Sequence, residues 1–163
     1  MKRIITIICL TCLLLSTKAF TSNSVNVNIS ISVGEINEIA INENQTLSLK
    51  VDSATPGEEP SPAIDTTSHT YSLTTNDTKK KITGQLDVKM PDMTTLSANL
   101  TAPSGGKSLG YTVLSDKPVD LVNGVSTIAE KNIPIAYKFT ATIKAGVIPV
   151  ASKTIIYTLT DSK

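Results

Sequence analysis

From residue 25 to residue 33 the chain alternates without error. Val25, Val27, Ile29, Ile31 and Val33 are β-branched and apolar, and every residue between them is Asn or Ser. A period of two puts all five apolar side chains on one face of an extended strand, and β-branching favours that backbone. Such a strand needs an apolar groove for one face and can leave the other in water. The same period recurs downstream. Ile36, Ile39 and Ile41 lead into Leu47-Ser48-Leu49-Lys50-Val51. Residues 52–62 hold Pro56, Pro60 and Pro62 and read as a loop, because proline cannot pair within a central strand. Further strands are expected around Tyr71 and Leu73, over 82–90, 96–100, 109–113 and 119–121, over the longer run 133–143, and over 155–159. Turns are expected at 75–78, 103–106, 123–124 and 145–146, where Asn, Asp, Gly and Pro collect. Residues 122–129 could form a turn or two of helix. Short strands at even spacing with turn chemistry between them predict an all-β chain, an immunoglobulin-like β-sandwich in one domain.

The N-terminus bears on compartment. Lys2 and Arg3 precede the apolar run 4–15, and Thr17-Lys18-Ala19 follows. A run of roughly 12 residues is too short to span a bilayer and has the layout of a signal peptide. The expected organisation is a signal peptide over 1–19, an N-terminal segment over 20–34 and a sandwich domain over 35–163. Thr11 before Cys12, and the apolar run continuing beyond it, fit a lipoprotein signal poorly. Both cysteines, Cys9 and Cys12, fall in the segment to be removed, so the mature chain is expected to have no disulfide and to rely on its core.

Charge and side-chain chemistry narrow the function classes. Loss of Lys2, Arg3 and Lys18 takes the basic count from 15 to 12 against 14 acids, a mature net charge of −2. The only Arg goes with the signal, and with it the usual bidentate reader of phosphates and base edges, which argues against nucleic-acid binding. No second apolar run is long enough for a membrane helix. His69 is the only His, so a His-based metal site or a Ser-His-Asp triad would depend on it alone; it reads as a solvated strand residue. Glu58, Glu59 and Asp87 show no spacing that fixes a catalytic pair. Neither an enzyme nor a cofactor is expected. Lys79-Lys80-Lys81 reads as a solubilising strand entry that discourages edge pairing. The Asn-X-Ser/Thr triplets at Asn28, Asn44, Asn76 and Asn99 are expected from composition in a chain rich in Thr and Asn.

Three segments resemble the major subunits of class 5 (alpha) fimbriae, pilins assembled by a chaperone–usher pathway. The first is the alternating segment 25–33 behind the signal. The second is Tyr71-Ser72-Leu73-Thr74-Thr75-Asn76-Asp77-Thr78-Lys79-Lys80-Lys81-Ile82, similar to that family's threonine-asparagine-aspartate turn followed by lysines and a strand. The third is Ala145-Gly146 followed by Thr154-Ile155-Ile156-Tyr157-Thr158-Leu159-Thr160. The Pro-rich stretch 52–62 and Gly34, where an Asp-Pro turn is expected, depart from the family pattern.

The resemblance implies a sandwich that lacks one edge strand and is completed by a neighbour's N-terminal strand, a form of β-augmentation. Val25, Val27, Ile29, Ile31 and Val33 would be the donor side chains. Ile155, Tyr157 and Leu159, on strand 153–160, would form one wall of the acceptor groove. Implied partners are copies of the chain itself, a periplasmic chaperone and an outer-membrane usher; the implied location is the periplasm in transit and a cell-surface fimbria. Alternation alone does not distinguish this from a strand that closes its own sandwich, and the alternative function is a monomeric secreted or periplasmic binding module.

Overall fold

The computed structural model describes residues 23–42 and 46–162. The expected signal peptide with its two cysteines lies outside the described residues, as does Asn44. Among the described residues the chain is all-β apart from one 3₁₀ turn over Ile143–Ala145. The strands are β1 Asn37–Ile41, β2 Ala63–Thr75, β3 Lys80–Leu86, β4 Thr94–Leu100, β5 Lys107–Ser108, β6 Thr112–Val113, β7 Val119–Val125, β8 Ile128–Ala141 and β9 Ile155–Asp161. They form two antiparallel sheets, ordered β1-β2-β8-β4-β6 and β5-β7-β3-β9. This is the expected β-sandwich. One compact unit spans Val33–Lys163.

Alternation explains the core. Tyr71 and Leu73 on β2, Leu96, Ala98 and Leu100 on β4, and Ile133, Ile135 and Tyr137 on β8 stand two residues apart and share one inner face. Ile82, Leu86, Leu121, Val122 and Val125 meet them from the other sheet, all buried. The Tyr71 hydroxyl donates to the Thr101 carbonyl (2.6 Å), so its buried oxygen is partnered. Gly84 marks the tightest inner contact. A Cβ there would lie 2.7 Å from Leu121 Cδ1 and 3.2 Å from Leu114 Cδ2, both on buried side chains that have no room to swing away. Gly84→Val is therefore expected to destabilise the domain by about 1–3 kcal/mol through overpacking, measurable as a drop in the denaturation midpoint.

Several expected elements are corrected. Asn123-Gly124 is not the turn. Strand β7 runs through it, paired on one side with β5 and on the other with β3. Three residues of β3, Lys80 to Ile82, face four of β7, Val125 to Val122. That bulge takes up the extra residue, and Gly124 accommodates it at φ +73°. The reversal falls at 126–127, with Thr127 at φ +39°. The same pairing excludes a helix over 122–129. Of the strand expected over 109–113 only Thr112–Val113 (β6) forms, and Gly110 (φ +73°) lies between it and β5, which belongs to the other sheet. Leu109, Tyr111 and Val113 are consequently exposed. The expected strand 82–90 stops at Leu86, whereas the one around Tyr71 extends over thirteen residues. His69 is buried, and its ring meets Tyr137 edge-on at 5.7 Å, which corrects the solvated reading.

Candidate functional site

The two sides of the sandwich are built differently. On the β5/β6 side the chain crosses between sheets over 107–115 and laces them together. Leu109 N–H donates to Leu121 O (3.0 Å), Leu114 N–H to Leu96 O (2.8 Å) and Leu86 N–H to Ser115 O (2.7 Å). Both sheets are thereby served by one stretch of chain. The opposite side has no such lacing among the described residues. There β1 and β9 are the edge strands and lie close to one another. β9 pairs only with β3, from Leu86↔Ile155 to Lys80↔Asp161, and β1 pairs only with the 71–75 half of β2.

Segment 47–51, the expected strand, has no ladder partner among the described residues. Yet its burial alternates: Leu47, Leu49 and Val51 are half-buried, Ser48 and Lys50 exposed, and Leu47 and Leu49 pack against the core. The side chains are placed as in a strand while the backbone groups go unpaired. The chain leaves β2 at Asn42. That backbone N–H donates to Thr70 O (2.9 Å), and the side-chain amide reaches Ser72 Oγ (2.6 Å) and Asn132 Oδ1 (3.1 Å).

The three expected wall residues lie where strand alternation places them. Ile155, Tyr157 and Leu159 share the inner face of β9, only half-buried, and pack on the core. Tyr157 donates from its hydroxyl to the Tyr137 hydroxyl (2.8 Å), and burial raises its pKa far above the usual phenol range. Ile39 faces the core from β1. On this side Ile39, Ile155, Tyr157 and Leu159 are half-buried apolar side chains packed on the core, and among the described residues β9 has β3 as its one ladder partner.

Among the described residues, 25–33 have no strand partner. Val25, Val27, Ile29, Ile31 and Val33 are 76–90 % exposed.

A clamp that sequence reasoning missed holds the root of this segment. Asn76 Oδ1 accepts from Ile36 N–H (2.8 Å), Asn76 Nδ2 donates to Gly34 O (2.7 Å), and Asn76 N–H donates to Ile36 O (3.2 Å). Lys80, with its side chain only 6 % exposed, sits among Asp161 (2.5 Å), Asp77 (2.9 Å) and Glu35 (3.3 Å). The three lysines therefore do different jobs: Lys79 is exposed, Lys80 is an ion-paired hub, and Lys81 pairs with Asp120 at 2.8 Å. The residues behind the clamp were visible as the Asn-Asp turn. Its partners, 34–36 and 161, are distant in sequence.

Asn76→Ala removes two of these three hydrogen bonds. At about 1 kcal/mol each, roughly tenfold or more faster amide exchange is expected at Ile36. The ionic part has a defined pH window. The Lys80 ammonium, with Thr78 N–H, holds the Asp77 carboxyl below its ordinary range. Asp161, then Asp77 and Glu35, hold the Lys80 amine above its own. Asp77 contributes above its unfolded pKa and loses that contribution as pH falls through the lower folded value. Lys80 contributes fully below its unfolded pKa and loses that only as pH rises through the higher folded one. The clamp is expected to hold through neutral pH and to release at the acid end, which an NMR titration of the Ile36 amide would follow.

Compared with known families and with curated proteins, the chain matches no family model and no curated sequence. Among the described residues no helix is long and apolar enough to cross a membrane.

Proposed function

We propose that this chain is the structural subunit of a bacterial surface fibre and polymerises by donor-strand exchange. The observation that carries the reading is a pairing of opposites within one sequence. Five alternating Val and Ile side chains stand exposed, and in the same chain Ile155, Tyr157 and Leu159 are half-buried on β9, an edge strand paired with β3 alone among the described residues. In the fibre, residues 25–33 of one subunit enter the acceptor groove of the next. Their main chain pairs with β9, and their alternate side chains pack among Ile155, Tyr157 and Leu159 and the 47–51 segment.

Energetics suit a strand delivered from outside. Burying five Val and Ile side chains contributes about 7–15 kcal/mol, whereas ordering nine residues costs about 9–18 kcal/mol. These terms nearly cancel, so the ladder bonds decide, and the edge of β9 supplies partners for them. On this reading the chain passes through the periplasm on its way to the surface, as the resemblance to class 5 pilins implies. A chaperone holds the acceptor groove during transit, and an outer-membrane usher exchanges it for the incoming strand. Mass photometry of the mature protein tests this: a ladder of integral multiples is expected on long incubation, and a single monomer peak that persists overturns it.

A further inference from the structure

The sequence holds three methionines. Met1 opens the expected signal peptide, which leaves Met90 and Met93 in the mature chain. The fold sets both into the wall of one cavity of ≈ 250 Å³, between the loop that joins β3 to β4 and the chain at and after β6. The fibre reading has no use for this cavity.

Local structure fixes the backbone of both residues. A tight turn over 91–94 is closed twice: Thr94 N–H donates to Pro91 O (3.2 Å), and the Thr94 hydroxyl donates to the same carbonyl (2.7 Å). Thr142 N–H donates to Met93 O (3.0 Å), which ties the turn to the chain just past β8. Met90, immediately before the turn, is half-buried and packs on the core. Met93 stands third in the turn at φ +63°. Left-handed backbone at that place favours Gly or Asn and is uncommon for other residues. Folding alone would be better served by Gly there. Burial gives Met93 little in return, because its side chain is more than half exposed. What the position retains is a polarisable thioether on the cavity wall, beside a second one from Met90.

The rest of the lining suits a small cation. Its charged residues are Asp92, Asp116 and Lys89, two acids against one base, a sum of −1. Lys89 Nζ leans to Asp92 Oδ1 (3.5 Å), with both side chains largely in water. Leu114, buried, supplies an apolar wall. Among the described residues no Cys or His lines the cavity, so zinc would lack its usual ligands. Two carboxylates fall short of the roughly six to eight oxygens that calcium takes. Thioethers are soft donors, and among biological metals they select copper(I).

We propose that Met90 and Met93 are the two soft ligands of a copper(I) site, with the Asp92 and Asp116 carboxylates supplying the balancing negative field. Thioethers carry no proton to lose, so acid does not compete with the metal for them as it does for thiolate or imidazole ligands. The closed turn orders the ligands' backbone before the ion arrives, which lowers the cost of binding. The site does not depend on the fibre reading.

NMR of the mature protein with isotope-labelled methionine methyls tests the site. The first probe is silver(I) as its nitrate in chloride-free buffer, a soft ion that stays monovalent in air. The second is copper(I), kept reduced by ascorbate under nitrogen. With either ion the Met90 and Met93 methyl signals are expected to shift together and to stop shifting at one equivalent. Zinc(II) is expected to move neither. Met90→Leu and Met93→Leu keep volume and apolar character. Each is expected to weaken silver binding by at least roughly tenfold, since loss of a residue that merely orients a ligand already costs about that much. The site is overturned if silver moves neither signal, or moves that of Met93 alone, which is how one exposed thioether behaves. It is equally overturned if Met90→Leu binds silver as tightly as the parent, or if zinc(II) moves both signals as silver does. Silver binding at one equivalent without copper(I) binding would overturn the copper assignment.

Discussion

Ile29→Asp is expected to abolish fibre formation while leaving the monomer folded. The Ile29 side chain is 78 % exposed, so the monomer loses nothing by the exchange. In the proposed fibre, the same position is the centre of the inserted strand. A carboxylate there must enter the groove unpaired or take up a proton, at a cost of several kcal/mol. At 1.4 kcal/mol per tenfold, roughly 4 kcal/mol lowers the equilibrium for each subunit contact by about a thousandfold, and a linear polymer with contacts that weak does not lengthen. Asn28→Asp is the control. It places the same charge one residue away, on the face that looks to solvent, and should polymerise nearly as well as the parent. Electron microscopy and size-exclusion chromatography of both variants read the difference directly. Fibres of normal length from Ile29→Asp would sink the donor role of 25–33.

The second large effect concerns a free peptide. Because the five donor side chains are exposed, a synthetic peptide of residues 24–34 is expected to bind the intact mature protein, and to bind a form lacking residues 20–33 equally well. At a peptide concentration about a hundred times its Kd, stabilisation is about 2.7 kcal/mol, which raises the Tm of a domain of this size by roughly 10 °C. A scrambled peptide of the same composition, with its alternation destroyed, should leave the Tm unchanged. A closed sandwich using 25–33 as its own strand gives the opposite pattern: the intact protein ignores the peptide and only the shortened form responds. That outcome favours the monomeric binding module over the fibre subunit.

Local patterning made much of this molecule legible. The period of two over 96–100, 133–137 and 155–159 names the strands and their inward faces, because alternation in a strand is geometric and one face has to be buried. The half-buried positions of Ile155, Tyr157 and Leu159 follow from that alone. Asn76 and Asp77 mark a turn by their own chemistry. Where the reading failed, pairing partners decided the outcome. Asn123-Gly124 has the composition of a hairpin turn, but β3 and β5 draw it into a bulged strand. Segment 47–51 alternates as a strand does, yet among the described residues it lacks the neighbour that would make it one. Lys80 appears as one of three surface lysines; only the fold brings Glu35 and Asp161 to it from both ends of the domain.

What the sequence determined by itself was therefore the all-β character, most strand positions, their inner faces, and the regular apolar face of 25–33. Those properties reside in neighbouring residues and need no distant partner. Tertiary structure alone decided which strands lie at the sheet edges and that Asn76 and Lys80 grip the root of the N-terminal segment. Each of these depends on long-range pairing. A strand's pattern says which face must be buried, and the chain's path through two sheets settles what lies beside it.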